Sequence, residues 1–74
     1  MHVKRDQTVL KALAKRVRKF RLEAEISQEE LAFLCEIDRT YISKIERGIA
    51  NPSLLILVRI ADILKIPLVK LFNS

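Results

Sequence analysis

The boundaries between helices are the sequence feature that most restricts how this chain can fold. Ser27 is followed three residues later by Glu30, a capping-box pattern in which each side chain can bond the other residue's backbone amide at a helix start. Asp38 can cap a second helix. Gly48, the only glycine, suits the left-handed conformation that ends a helix. These signals predict two short helices, about residues 28–35 and 39–47, joined by three residues.

A longer helix is expected before this pair. Thr8 can cap its start, and it should end near Glu25, with residues 1–7 forming a flexible basic arm. Apolar residues at helical spacing predict the buried stripe of this helix. They are Leu10, Leu13, Ala14, Val17 and Phe20.

Two prolines delimit the helices after this pair. Numbered in chain order, the long helix is helix 1 and the pair are helices 2 and 3. Pro52 prevents helix 3 from continuing, and Ser53 can cap a fourth helix over about residues 54–64. Pro67 suits the first turn of a last short helix, PLVKLF. No segment shows the alternation of a β-strand. The sequence therefore predicts a single all-α domain, residues 1–74, with five helices.

Composition argues against several classes of function. The chain has one cysteine and one histidine, so we expect neither a disulfide within the chain nor a metal site; Cys35 should be a core residue and His2 terminal. No apolar run reaches about 18 residues, and MHVKRDQ is not a secretion signal. The expectation is a cytoplasmic protein without membrane contact, cofactor or enzymatic activity.

Charge is distributed unevenly along the chain. Residues 1–21 carry a net charge of +7, residues 22–38 carry −6, and residues 39–74 carry +4. Such asymmetry is typical of a protein that presents one side to a polyanion. Solvated faces of ordinary surface helices would give the same pattern, so charge alone leaves both interpretations open.

The segment ISQEELAFLCEIDRTYISKIERGIANPSLLILVRIADIL resembles the lambda-repressor/Cro-like helix-turn-helix family. Within it, DRTYISKIERG, followed two residues later by NPS, is still more similar to the controller proteins of restriction–modification systems. The resemblance covers about residues 9–72. It implies a compact five-helix DNA-binding domain, a homodimer, a two-fold symmetric operator, and helix 3 as the recognition helix.

The resemblance also assigns structural roles. Gln28 matches a glutamine that grips a DNA phosphate and braces the recognition helix, and Arg21 and Glu46 match a buried ion pair. Both members of the pair lie at the edge of an apolar stripe, so an ion pair is physically sensible. The family usually has glycine at the positions of Glu25 and Glu36, where a positive φ would strain any other residue by about 1 kcal/mol.

Helix 3 has a polar side that suits DNA. A major groove admits one α-helix, and base edges there are read by side chains near the helix start. Arg39 can pair with guanine, Thr40 can touch a thymine methyl group, and Lys44 can reach guanine or a phosphate. Ser43 permits close approach. Tyr41 has three interpretations: packing at the domain edge, donation to a phosphate, or contact with a flexible base step.

Other residues are candidates for positioning the protein on DNA. Helix starts and the loop after helix 3 would flank the groove. The expected phosphate contacts are therefore Gln28, Arg47, Asn51 and Ser53. Lys4 and Arg5 could form a basic arm, whereas the basic face of helix 1 is expected to be solvated.

The last segment is too apolar to be wholly exposed. Some of its side chains should fill the core and the rest should meet a second subunit. The expected interface residues are Leu68, Val69, Leu71 and Phe72.

The function expected from the sequence is regulation of transcription by a homodimer bound to double-stranded DNA. The most specific version of this expectation is control of a restriction–modification operon. A phage-type repressor, or an antitoxin that represses its own operon, fits the same residues. A protein-interaction adaptor with this fold is the alternative from a different class. RNA polymerase is a further partner if the protein is an activator.

Overall fold

The computed structural model describes residues 3–73, with side chains from residue 5 onward, and all regular structure in this range is helical. Four α-helices are followed by one short 3-10 helix. They are α1 (Val3–Glu23), α2 (Gln28–Cys35), α3 (Arg39–Glu46), α4 (Leu54–Leu64) and the 3-10 helix Leu68–Leu71. The bounds of α2 and α4 are those predicted, and α3 is one residue shorter, because Arg47 is its C-cap.

The predicted start of the first helix was wrong. The first helix begins at Val3 rather than Thr8, so residues 3–7 are helical, while the flexibility of the arm stays a prediction. No glycine or proline interrupts this stretch, and Asp6 in the first turn complements the positive end of the helix dipole. Met1 and His2 lie outside the described residues, as does the side chain of Lys4.

The prediction of a fifth α-helix was also wrong. Residues 68–71 form a single 3-10 turn, in which the Lys70 amide donates to the Pro67 carbonyl at 2.9 Å. A segment of four residues is too short for the hydrogen bonds of an α-helix to become cooperative, and 3-10 geometry suits short pieces.

The core receives side chains from all five elements. Leu71 is completely buried within the single chain, so its assignment to a dimer interface was wrong: it is a core residue. Leu10 and Phe20 are half-buried at the edge of the predicted stripe. The buried apolar residues are Leu13, Ala14, Val17, Leu31, Ala32, Cys35, Ile42, Ile45, Leu57, Ile60, Ala61, Leu64 and Leu71.

All four α-helices end in the same way. A residue with φ between 59° and 74° reverses the chain, and the amide of the isoleucine after it donates to a carbonyl five residues earlier, at 3.0–3.4 Å. This is the Schellman motif. The reversing residues are Glu25, Glu36, Gly48 and Lys65, and the isoleucines are Ile26, Ile37, Ile49 and Ile66. Three of the four helix ends therefore place a residue with a Cβ where glycine fits best.

Replacing Glu36 with glycine should stabilise the protein. The left-handed conformation strains a residue with a Cβ by about 1–2 kcal/mol, while glycine adds about 0.4–1 kcal/mol of unfolded-state entropy. We therefore expect Glu36→Gly to raise the free energy of unfolding by about 0.5–1 kcal/mol, measured by urea unfolding followed by circular dichroism.

Glu36→Ala is the matched control for this substitution. It removes the same carboxylate but keeps a Cβ, so it should retain the strain and fall below the glycine variant. Equal stability of the alanine and glycine variants would show that charge, and not backbone conformation, determines stability at this position.

Candidate nucleic-acid interface

The connection between α2 and α3 fixes the angle at which α3 is presented. The Ser27 side chain accepts from the Glu30 amide at 3.0 Å, while Glu30 accepts from the Ser27 amide at 2.9 Å, so the capping box is complete. At the start of α3, an Asp38 oxygen accepts from the Thr40 amide at 2.8 Å. Only residues 36–38 separate the two helices, which gives the helix-turn-helix arrangement.

One side of α3 is held by the core and the other is uncovered. Ile42 and Ile45 are buried and anchor the helix. Arg39, Thr40, Lys44 and Arg47 are exposed along the opposite side, and Ser43 is half-buried. The first turn contains a notch of about 210 Å³ lined by Arg39, Thr40 and Ser43. Groups able to hydrogen-bond are thus gathered near the helix start, where base edges are read in a major groove.

Tyr41 has a mixed environment. It is half-buried and packs against the hydrophobic core, as expected of a residue at the domain edge. This position supports the first of its three sequence interpretations. Contact between its hydroxyl and DNA stays a prediction.

An ion pair beneath α3 connects three segments of the chain. The Arg21 Nε donates to Glu46 Oε2 at 2.7 Å, and its Nη2 donates to Glu46 Oε1 at 3.0 Å. A third donor, Nη1, reaches the carbonyl of Ile26 at 2.8 Å. The two side chains are only 8% and 2% exposed, so the predicted ion pair is present and almost fully buried. Its hydrogen bond to Glu46 raises the pKa of the Arg21 guanidinium, although burial opposes the shift.

Gln28 completes this network from the first residue of α2. Its Nε2 donates to Glu46 Oε1 at 3.1 Å, so it braces α3 as the resemblance implied. A side-chain amide has two N–H donors, and one of them is left for another acceptor. Elsewhere, Arg59 donates to the Cys35 carbonyl at 3.3 Å and ties α4 to the end of α2.

The remaining predicted phosphate contacts lie near the end of α3 and the start of α4. Arg47 and Asn51 are exposed. The Ser53 oxygen accepts from the Ile56 amide at 3.3 Å, so the hydroxyl hydrogen is left to donate. Arg5 is exposed on the first turns of α1.

Sequence reasoning missed an apolar surface on α2. Phe33 is 80% exposed and Leu34 is 50% exposed. Together with Glu29 and Glu30 they line a shallow surface depression of about 380 Å³. Since Leu31, Ala32 and Cys35 were assigned to the core, the helical period alone would have directed Phe33 outward and signalled this surface.

Within residues 3–73, we looked for a metal site, a reactive cysteine and a membrane-spanning helix. No three His, Cys, Asp or Glu side chains in this range gather as they would around a metal ion. Burial raises the pKa of the Cys35 thiol, with a smaller opposing effect from the charge of Arg59, as expected of a core cysteine. None of the helices described is both long and apolar enough to cross a bilayer.

Comparison with known proteins agrees with this geometry. The profile of the Helix-turn-helix family matches residues 17–71, which is most of the chain. The control protein C.BamHI of Bacillus amyloliquefaciens is 58% identical over 40 residues, which are 53% of this chain. The matched segment spans about half the length of that relative, 49%.

Two solved controller proteins share the fold over most of the chain. The restriction-modification controller C.AhdI of Aeromonas hydrophila is 40% identical, with a TM-score of 0.83 over 85% of this chain and 96% of that protein. The controller C.Esp1396I is 37% identical, with a TM-score of 0.79 over 88% of this chain and 86% of that protein. Its solved variants alter an arginine, a threonine and a tyrosine at consecutive positions, the same order of residue types as Arg39, Thr40 and Tyr41.

Proposed function

Because the chain belongs to the helix-turn-helix family of DNA-binding regulators, we propose that it controls a restriction–modification operon by binding a palindromic operator as a homodimer. The observation that carries the proposal is the uncovered polar side of α3, whose opposite side is fixed by buried isoleucines. Sequence-specific recognition needs base-reading groups on a rigid helix. Likeness to two solved controllers narrows the proposal from DNA binding in general to this class of regulator.

Base readout is assigned to the start of α3. In the proposed complex Arg39 bonds guanine through its two parallel N–H groups, while Thr40 and Ser43 line the notch that accepts a base edge. Lys44 lies one turn further along and reaches guanine or a phosphate. Gln28, Arg47, Asn51 and Ser53 bond phosphates on either side of the groove and set the register of the helix.

A second copy of the chain is proposed to cover the apolar end of the domain. Val69 and Phe72 are each about half exposed on either side of the buried Leu71, and Leu68 is half-buried. Leu54 and Leu55 are also exposed at the start of α4. A domain of this size gains stability by covering such residues, and a two-fold contact would place two α3 helices about one DNA turn apart.

The experiment that tests the proposal is selection of bound duplexes from a random pool, with the stoichiometry of the complex measured by sedimentation. We expect a palindrome with two half-sites about one turn apart, and two protein chains per duplex. Binding that does not distinguish the selected duplexes from random DNA at moderate salt would favour the protein-interaction adaptor instead.

Two related functions compete with the controller, a phage-type repressor and an antitoxin that represses its own operon. Both would use the same α3 surface and would also select a palindrome. The neighbouring genes distinguish them. A methyltransferase and an endonuclease support the controller, whereas a toxin gene supports the antitoxin.

The α2 surface favours a second role, activation through contact with RNA polymerase. Phe33 stands exposed among Glu29 and Glu30, in a segment without any lysine or arginine. Such a surface is repelled by DNA phosphates, yet it lies on the helix next to the DNA-reading one. A basic, partly apolar protein bound at the same promoter is its complementary partner.

Phe33→Ala should separate activation from DNA binding. We expect operator affinity to change less than two-fold, while transcription from an activated promoter in a purified system falls about five-fold or more. A fall of this size is expected because an aromatic side chain buried at the centre of an interface contributes about 1–2 kcal/mol to binding. Leu22→Ala, which removes an exposed apolar residue elsewhere, is the control and should leave transcription unchanged. Unchanged transcription with Phe33→Ala would exclude this surface as the activating contact.

A further inference from the structure

The first helix lies directly against the turn that ends the recognition helix. Gly48 has a φ of 74°, and a Cβ at this position would lie 3.2 Å from Lys11 Cγ and 3.3 Å from Lys11 Cα. Such distances are shorter than ordinary van der Waals contacts. Glycine is therefore favoured here for two reasons, the positive φ and the close approach of α1.

This contact keeps the ammonium group of Lys11 in the neighbourhood of the Gly48 turn. Its Cγ packs at the Gly48 turn, its side chain is exposed, and its ammonium group is only three bonds beyond Cγ. Arg47 precedes the same turn and Asn51 follows it by three residues. Lys11 thus adds a cation beside the loop assigned above to phosphate contact. Lys19, on the same side of α1, is two turns away, a distance of about 12 Å along the helix.

We propose that Lys11 is a phosphate-contacting residue that works together with Arg47 at the Gly48 turn. The proposal rests on the proposed DNA-binding function and revises the sequence prediction that the basic face of helix 1 is only solvated. Lys11 packs against the turn from α1 and Arg47 directly precedes it in the chain, so both cations are available to the same stretch of the DNA backbone. A contact of this kind strengthens binding to every sequence and sets position, not base preference.

The test is the salt dependence of DNA binding by Lys11→Gln. Each phosphate neutralised contributes about −0.9 to the slope of log K against log salt, so a dimer that loses two contacts should have a slope less negative by about 2. Affinity should fall by the same factor on the selected operator and on random duplexes. Lys11→Arg keeps the charge and should keep the wild-type slope.

Lys19→Gln is the matched control, because it removes one charge of the same kind from the same helix. The change in slope from the wild type to Lys19→Gln should be much smaller than the change from the wild type to Lys11→Gln. If the two glutamine variants give the same slope while the wild type still prefers its operator, the assignment of Lys11 is overturned and the proposed function stands. If the wild type shows no preference for any duplex, the proposed function itself fails.

Discussion

Glu46→Ala is expected to lower the free energy of unfolding by about 3–5 kcal/mol, the effect of leaving one buried charge without its partner. Arg21 is buried and directs three donors inward, two of them to Glu46 and one to the Ile26 carbonyl. Without Glu46, the guanidinium would keep its charge in a site from which water is largely excluded. The loss approaches the whole stability of a domain this small, so the variant should be partly unfolded at 25 °C.

The double variant Arg21→Met, Glu46→Leu keeps this prediction testable even if the single variant does not fold. It replaces both charges by apolar groups of similar length, a change that is often neutral or stabilising. We expect it to unfold in urea within about 1 kcal/mol of the wild type, or above it. A double variant as unstable as Glu46→Ala would mean that shape or the bond to Gln28, rather than an uncompensated charge, sets the stability of the site.

Arg39→Ala is expected to have the largest effect on DNA recognition. A guanidinium paired with both acceptors of guanine discriminates against other bases by about 1–3 kcal/mol. In a homodimer the contact occurs twice, so discrimination at the two symmetric positions should fall by about 2–6 kcal/mol in total. The measurement compares, for the wild type and for Arg39→Ala, the affinity for the selected operator with the affinity for duplexes altered symmetrically at that base pair.

Arg47→Ala is the control for Arg39→Ala. It removes the same group from the other end of α3, where we assign a phosphate contact, so it should weaken binding on all duplexes equally. Equal weakening on every duplex by Arg39→Ala as well would reassign Arg39 to the phosphate backbone. Thermal unfolding should remain near that of the wild type in both variants, because both side chains are exposed.

Local signals in the sequence predicted the helix-turn-helix well, because its boundaries depend on short-range chemistry. The Ser27–Glu30 box, the Asp38 cap and the Gly48 stop each act within a few residues, and all three are present in the structure. The start of α1 could not be predicted in this way. A capping residue such as Thr8 marks a possible start, but nothing before it prevents the helix from continuing to Val3.

The parts that depend on packing were harder to predict. Spacing showed that the segment after Pro67 had to divide its apolar side chains between core and surface, but only the fold shows that Leu71 is the buried one. The contact between Lys11 and Gly48 joins residues 37 positions apart, and no periodic pattern contains it. Glycine at the end of α3 looked like a helix stop alone, whereas it also makes room for α1.

The network around Arg21 has a consequence for the shape of the DNA. The recognition helix is bonded through Glu46 to α1 and to Gln28 of α2, so it cannot tilt or slide to follow an irregular groove. In the proposed complex, the duplex must supply the adjustment by bending and twisting between the two half-sites. The energy of that deformation depends on base steps that no side chain touches, and pyrimidine–purine steps yield most easily. The base sequence between the two half-sites would then change occupancy of the operator as effectively as a base in direct contact.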